Sequence, residues 1–85
     1  MPPPDHHEQP AAEEFAIEDD MIRLGQFLKL ANIVEDGATA RLLLADEIVR
    51  VNGELEIRRG RQLHPGDVVD VATPTGAIQL SVTRA

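Results

Sequence analysis

The sequence predicts a small α+β domain in which two short helices precede a small antiparallel β-hairpin and sheet. Three observations support this class. The chain has only 85 residues, apolar residues recur at helical spacing between residues 21 and 45, and they alternate with polar residues beyond residue 48. A chain of this length forms one domain with a small core. It contains no cysteine, which excludes disulfides and thiolate metal sites.

The N-terminal segment differs in composition from the rest of the chain. Residues 1–21 contain seven acidic residues and no Lys or Arg, so they account for the formal net charge of −7. Four of the six prolines lie in the same segment. Acidic, proline-rich segments without an apolar period bury too little apolar surface to fold. We therefore expect a disordered acidic tail over residues 1–20 and a folded domain over residues 21–85.

The first predicted helix begins at Met21 and ends near Asn32, a residue that tolerates the left-handed conformation found after helix ends. Asp19 or Asp20 is expected to cap its N-terminus. Its apolar residues recur at three and four positions and share one face; they are Leu24, Phe27, Leu28 and Ala31.

The second predicted helix follows Asp36, whose short carboxylate suits the N-cap position. It continues through the sequence GATARLLLA, which is rich in good helix formers. We expect it to bury some of Ala40, Leu43 and Leu44.

Beyond the helices, the apolar period falls to two, which is typical of strands. Val49 and Val51 point one way and Arg50 the other. Asn52-Gly53 suits a type I′ hairpin turn because both central residues of that turn need positive φ.

Two further turns divide the C-terminal part of the chain into strands. Pro65-Gly66 suits a type II turn, and Val69 and Val71 alternate with Asp70 in the strand after it. The sequence TPTG then leads into a last strand, whose apolar residues are Ile78, Leu80 and Val82.

Three arginines lie within four positions in the sequence EIRRGRQ, namely Arg58, Arg59 and Arg61. A guanidinium group presents a planar fork of donors that matches two phosphate oxygens, which favours contact with a nucleic-acid backbone. Glu54 and Glu56 favour another interpretation, in which neighbouring carboxylates pair with the arginines and leave a neutral hairpin. The residues alone leave both interpretations open.

The sequence contains little that supports catalysis, metal binding or membrane association. The only serine, Ser81, lies in the last predicted strand with no histidine near it. His6 and His7 are adjacent on the tail and lack the fixed geometry of a metal site. We therefore predict a protein that is not an enzyme and has no metal or other cofactor. The acidic N-terminus is unlike a secretory signal, and no apolar run approaches the roughly 20 residues that span a bilayer, so we expect a cytoplasmic protein with no membrane association.

Residues 22–71 resemble the S4 RNA-binding domain, also called the αL RNA-binding motif, and above all its small stand-alone bacterial members. The similar segments occur in the family's order: LGQFLKL, DGATAR, VRVNGELEIRRG and GDVV. The resemblance implies binding to structured RNA, with the two helices and the hairpin forming the surface that meets phosphates.

The resemblance also implies which residues bind RNA. The family's basic positions fall on Lys29, Arg41, Arg58, Arg59 and Arg61. We add to this predicted set Arg50 and His64; a turn-filling role is the alternative for His64.

Two positions depart from the family pattern, because Glu47 and Asn32 stand where the family has glycine. A non-glycine residue at positive φ costs roughly 1 kcal/mol. We therefore expect some strain at Glu47, whose carboxylate would also lie near phosphate.

The small number of aromatic residues limits the ways in which the protein could recognise RNA. The chain has no Trp or Tyr; Phe15 falls in the predicted tail and Phe27 in the apolar stripe. Without exposed aromatic platforms, recognition of RNA backbone and shape is the remaining mode. The expected partner is structured RNA, such as ribosomal RNA or a ribosome assembly intermediate, bound by a monomer. The alternative is a protein-interaction module whose acidic tail binds a basic partner.

Overall fold

The structure is a computed structural model that describes residues 13–85. Its elements in chain order are β1 (Glu13–Ile17), β2 (Ile22–Arg23), α1 (Leu24–Leu30), α2 (Gly37–Ala45), β3 (Val49–Val51), β4 (Glu54–Leu55), β5 (Gln62–Leu63), β6 (Val68–Thr73) and β7 (Gly76–Arg84). Five strands form a sheet in the order β1-β7-β6-β3-β4, and β2 pairs with β5 in a separate sheet. The predicted α+β class is confirmed.

The strand β1 lies within the segment that was expected to be disordered. It pairs in parallel with β7, with Phe15 opposite Val82. Ile17 is buried, and the ring of Phe15 meets that of Phe27 edge to face, with 5.9 Å between centroids. The prediction of disorder is therefore wrong for residues 13–17, because two apolar side chains at alternate positions bury against the core. The rest of the predicted tail that precedes β1 lies outside the described residues.

Because β1 belongs to the folded domain, most of the acidic charge that was assigned to the tail lies in or beside that domain. Five of the seven acidic residues assigned to the tail belong to the described chain, namely Glu13, Glu14, Glu18, Asp19 and Asp20. Residues 13–85 therefore carry a formal net charge of −5, and the domain is not neutral. Asp20 forms an ion pair with Arg84 at the end of β7. The parallel pairing of β1 also makes the sheet mixed, whereas a purely antiparallel sheet was expected.

The start of α1 is held by tertiary contacts. The prediction that Asp19 or Asp20 caps it is wrong, because the N-cap residue is Arg23 and no side chain bonds to the cap. The backbone N–H groups of the first two helical residues instead donate to the carbonyl oxygens of Arg61 and Arg59, over 2.8 and 2.9 Å. Groups that a local cap would satisfy are thus satisfied from a distant loop.

The predicted end of α1 and the predicted start of α2 agree with the structure, but α1 begins at Leu24 and not at the predicted Met21, because Ile22 and Arg23 pair with β5. The side chain of Asp36 accepts a hydrogen bond from the backbone N–H of Thr39 over 2.8 Å, which confirms it as the N-cap of α2. Asn32 follows α1 with a φ of 63°, and Glu47 follows α2 with a φ of 60°. Both residues therefore have the left-handed conformation that favours glycine.

The core lies between the two helices and one face of the larger sheet. Val49 and Val51 are buried while Arg50 faces solvent, and Asn52-Gly53 connects β3 to β4 with positive φ at both residues. The largest fully buried side chains come from both helices and from four strands: Phe27, Leu24, Leu28, Leu44, Leu63, Leu80, Val49, Val51, Val69, Val71 and Val82.

Phe27→Ala is expected to lower the free energy of unfolding by about 3–5 kcal/mol, because it removes the largest buried side chain and leaves a cavity. A loss of this size is a large fraction of the stability of a small domain. Leu42→Ala, at a position in α2 that is 69% exposed, is the control and should cost less than about 0.5 kcal/mol. Urea unfolding followed by circular dichroism compares them, and equal losses would contradict the assigned core.

Candidate nucleic-acid interface

The loop between β4 and β5 carries the three clustered arginines. We call residues 57–61 the arginine loop. Glu56, which precedes it, is only 5% exposed and is the one buried charged side chain among the residues that the structure describes. A buried carboxylate is costly unless hydrogen bonds and opposite charges satisfy it. The contacts of Glu56 therefore determine how the loop folds.

Both carboxylate oxygens of Glu56 accept hydrogen bonds from the arginine loop. Oε2 accepts from the backbone N–H groups of Ile57 and Arg58, over 3.1 and 2.9 Å, and from Arg58 Nε over 3.0 Å. Oε1 accepts from Arg58 Nη2 over 3.1 Å and from Arg61 Nη1 over 2.9 Å. The pairing interpretation that the sequence left open thus holds for Glu56 with two of the three arginines.

These contacts lower the pKa of Glu56 from 4.5 to about 2. The main cause is the hydrogen bonding by the Arg58 side chain; burial acts in the opposite direction, and Arg61 adds to the lowering. The two arginines differ in exposure, because the side chain of Arg58 is 72% exposed and that of Arg61 only 29%. Arg58 therefore remains accessible to a ligand, whereas Arg61 is mostly enclosed.

A concave site of about 350 Å³ lies beside α1, and we call it the basic groove. Its lining residues come from the end of β2, both helices and the arginine loop: Arg23, Gly25, Gln26, Lys29, Gly37, Arg59 and Gly60. Three of them are cationic and none is acidic, although the described chain as a whole is acidic. The groove therefore concentrates positive charge.

Hydrogen bonds to backbone carbonyl oxygens hold two of the three cations of the basic groove. Arg23 Nη1 donates to the carbonyl oxygen of Gly60 over 3.0 Å, and Arg59 Nη1 donates to that of Gly37 over 3.4 Å. Gly25 makes room for Arg59, because a Cβ at this position would collide with the Cγ of that arginine. An arginine has five N–H donors, so both retain donors for a ligand after these contacts.

A second concave site of about 740 Å³ lies on the other side of the arginine loop, and Gly60 lines both sites. Its other lining residues are Arg58, Arg61, Gln62, His64 and Asp67. Asp67 accepts hydrogen bonds from Asn52 Nδ2 over 3.0 Å and from the backbone N–H of His64 over 2.8 Å. Burial would raise the pKa of Asp67, but these hydrogen bonds outweigh it and lower the pKa. This second site is therefore mixed in charge.

The predicted RNA-binding residues are distributed unevenly. Lys29 and Arg59 line the basic groove, while Arg58, Arg61 and His64 line the second site, where His64 Nδ1 lies 3.9 Å from an Asp67 carboxylate oxygen. Two predicted residues lie outside both sets of lining residues: Arg41 on the exposed surface of α2 and Arg50 on the solvent side of β3.

Sequence reasoning missed Arg23 as a groove residue. Its contact with Gly60 joins positions that are 37 residues apart. The only signal in the sequence is that Arg23 directly precedes LGQFLKL, and therefore lies at the start of the first helix.

The described residues were compared with the requirements of a membrane-spanning helix and of a metal site. Within residues 13–85, no helix has the length and apolar character needed to cross a membrane. The same residues contain no group of three or more acidic or histidine side chains that could hold a metal ion. His6 and His7 lie outside the described residues.

The S4 domain family model matches residues 15–79. The chain belongs to the S4 domain family. This confirms the resemblance found in the sequence, and the match extends beyond residues 22–71 to include most of β1. The S4 chain is also 47% identical over 60 residues to the probable ribosome maturation protein RlbA of Bacillus subtilis (strain 168), covering 71% of this chain and 84% of that relative.

We predict that the stabilisation by Glu56 depends on pH. Because its pKa in the folded state is about 2 and its ordinary value is 4.5, the carboxylate contributes stability above about pH 4.5 and loses it as the pH falls toward 2. The contribution at neutral pH is about 3 kcal/mol by this shift. Glu56→Gln should therefore destabilise the domain at neutral pH, with the difference from wild type narrowing below about pH 4.5.

Urea unfolding across this pH range measures the effect. The control is Glu54→Gln, which removes an exposed carboxylate two residues earlier, in β4. A pH-independent difference between Glu56→Gln and wild type would contradict the role of the ionised carboxylate.

Proposed function

We propose that this S4 domain binds structured RNA through phosphate contacts in the basic groove, in a role linked to ribosome maturation. The observation that carries the proposal is the convergence of Arg23, Lys29 and Arg59 on one groove without an acidic lining residue. Family membership and the name of the Bacillus subtilis relative support the RNA and ribosome parts of the proposal. Ribosomal RNA or a ribosome assembly intermediate is the proposed ligand.

The chemistry of the groove suits an RNA backbone. Guanidinium and ammonium groups neutralise phosphate charge, and an arginine fork places two donors on two phosphate oxygens. Gly25 and Gly37 leave room for the Arg59 side chain over the groove, and Gly60 adds no side chain to the lining. These features favour a phosphate group over an apolar ligand.

Recognition of bases by stacking has no support in the structure. The chain contains only two aromatic residues, and Phe15 and Phe27 pack on each other, with Phe27 fully buried. Stacking platforms require exposed rings. We therefore propose that backbone and shape provide the affinity, and that sequence selectivity is low.

The other predicted RNA-binding residues are proposed to contribute to RNA binding to different extents. Arg58, which is highly exposed, extends the cationic surface beyond the groove. Arg61 and His64 face acidic partners, so we give them a supporting role. Arg41 and Arg50 remain proposed peripheral contacts.

We further propose that the protein is monomeric and cytoplasmic and binds RNA without catalysing a reaction. The alternative, a protein-interaction module that acts through the acidic tail, receives no support from the family or the relative. Deleting residues 1–20 cannot test that alternative cleanly, because the deletion also removes β1 from the sheet.

Arg59→Ala is expected to weaken binding to purified bacterial ribosomal RNA and to reduce the slope of log affinity against log salt by about 0.7 to 0.9. Arg84→Ala removes the same charge outside the groove and should leave the slope unchanged. Fluorescence anisotropy at several salt concentrations compares the two variants. Equal slopes for both variants would contradict the proposed groove.

A triple replacement of the clustered arginines is less informative, because it deprives buried Glu56 of two partners.

Gly25→Ala tests the same groove without changing any charge. The added Cβ should displace the Arg59 side chain from α1 and weaken RNA binding about as much as Arg59→Ala does. Alanine is favoured in helices, so the helix itself should persist, and circular dichroism checks this. Unchanged RNA affinity in the folded variant would show that the position of Arg59 over α1 does not matter for binding.

A further inference from the structure

We propose that Glu56 increases the affinity for RNA, despite its negative charge, by positioning the arginine loop. The inference rests on the proposed function and adds a residue that neither the basic positions of the family nor a charge count would select. Glu56 acts here as a positioning residue and does not itself touch RNA, because it is 5% exposed.

The charge of Glu56 does not leave the local surface negative. Its carboxylate is paired with two guanidinium groups, those of Arg58 and Arg61, at 3.0 and 2.9 Å. The three groups together keep a formal charge of +1. A phosphate that approaches this cluster therefore meets net positive charge, and the exposed part of the cluster is Arg58.

Glu56 also orients the accessible face of Arg58. The Nε and one Nη2 hydrogen of this arginine are used on the two carboxylate oxygens. Of its five N–H donors, three remain, and its side chain is 72% exposed. Arg58 is thus held by one edge of its guanidinium plane, and the other edge is presented to solvent. Holding a long side chain in its bound geometry reduces the entropy that is lost on binding.

The same carboxylate supports the basic groove indirectly. It accepts hydrogen bonds from the backbone N–H groups of Ile57 and Arg58, and these bonds set the direction in which the loop leaves β4. Further along this loop, the carbonyl oxygens of Arg59 and Arg61 accept hydrogen bonds from the start of α1. A loop released from Glu56 would lose this register against α1, and Arg59 would no longer be held over the groove.

A comparison of two neighbouring carboxylates tests the inference. Glu56→Gln and Glu54→Gln each remove one negative charge from the same short segment, but Glu54 is exposed and Glu56 is buried in the arginine cluster. If only net charge mattered, both variants would bind purified bacterial ribosomal RNA slightly more tightly. We expect Glu56→Gln to bind about five- to tenfold more weakly, and Glu54→Gln to bind as tightly as wild type or more tightly.

A double-mutant cycle separates positioning from general destabilisation. If Glu56 acts through Arg58 and the loop, the loss caused by Glu56→Gln should shrink in an Arg58→Ala background, and Glu56→Gln should also lower the salt slope. A purely global effect on folding would reduce affinity by the same factor in both backgrounds. Binding is measured at a temperature at which circular dichroism shows every variant to be folded. Glu56→Asp, which keeps the charge on a shorter side chain, replaces Glu56→Gln if the latter does not fold.

The possible outcomes distinguish this inference from the proposed function. Failure of the wild-type protein to bind ribosomal RNA, in the presence of a folded domain, would overturn both. Wild-type binding together with equal or tighter binding by folded Glu56→Gln would overturn the positioning role alone. Weaker binding by Glu56→Gln that is additive with both Arg58→Ala and Arg59→Ala would also overturn it, because the effect would then run through neither arginine.

Discussion

A buried carboxylate that must be neutralised organises the functional side of this domain. Glu56 accepts five hydrogen bonds from its own loop, two from backbone N–H groups and three from arginine side chains. Because an unpaired buried charge is very unfavourable, the loop has few other ways to fold around it. The loop in turn presents two carbonyl oxygens to the start of α1, which lacks a side-chain cap of its own. One electrostatic constraint thus links the hairpin, the loop and the first helix.

The arrangement of charge explains how an acidic chain can carry a cationic surface. The sheet order places β1 at one edge and β4, which leads into the arginine loop, at the other. At the usual strand spacing of about 4.8 Å, these edges are separated by about 19 Å. The Debye length at physiological ionic strength is about 8 Å, so the carboxylates on β1 are largely screened from the loop. Glu18 and Asp19 line a separate concave site that shares only Gln26 with the basic groove.

The number of arginines near the basic groove does not by itself describe its charge, because neighbouring arginines have different partners. Arg58 and Arg61 lie within two positions of Arg59 in sequence, yet they pair with Glu56, while Arg59 donates a hydrogen bond to Gly37 in α2. Arg23 joins the groove from a segment 37 positions before Gly60. The surface therefore consists of a cationic groove formed by three separate segments, flanked by arginines that are already paired with a carboxylate. A ligand with closely spaced phosphates matches this arrangement better than a single small anion does.

Features that depend on near neighbours could be predicted from the amino-acid sequence. Asp36 caps α2 through a residue three positions away, Asn32 ends α1 in the left-handed conformation, and the buried faces follow periods of two and of three to four residues. The spacing of these elements also sufficed for the family resemblance, which the match over residues 15–79 confirms.

Tertiary structure decided the features whose partners are distant in sequence. The strand β1 is acidic and has weak local preference, but it gains a place in the sheet from β7, some 67 positions away, and from the buried ring of Phe27. Arg23 became part of the groove through a contact 37 positions away. The sequence offered pairing and phosphate contact as alternatives for the clustered arginines, and burial of Glu56 assigned Arg58 and Arg61 to pairing. Burial and long-range hydrogen bonds arise only when the chain is folded, so local pattern and composition do not contain them.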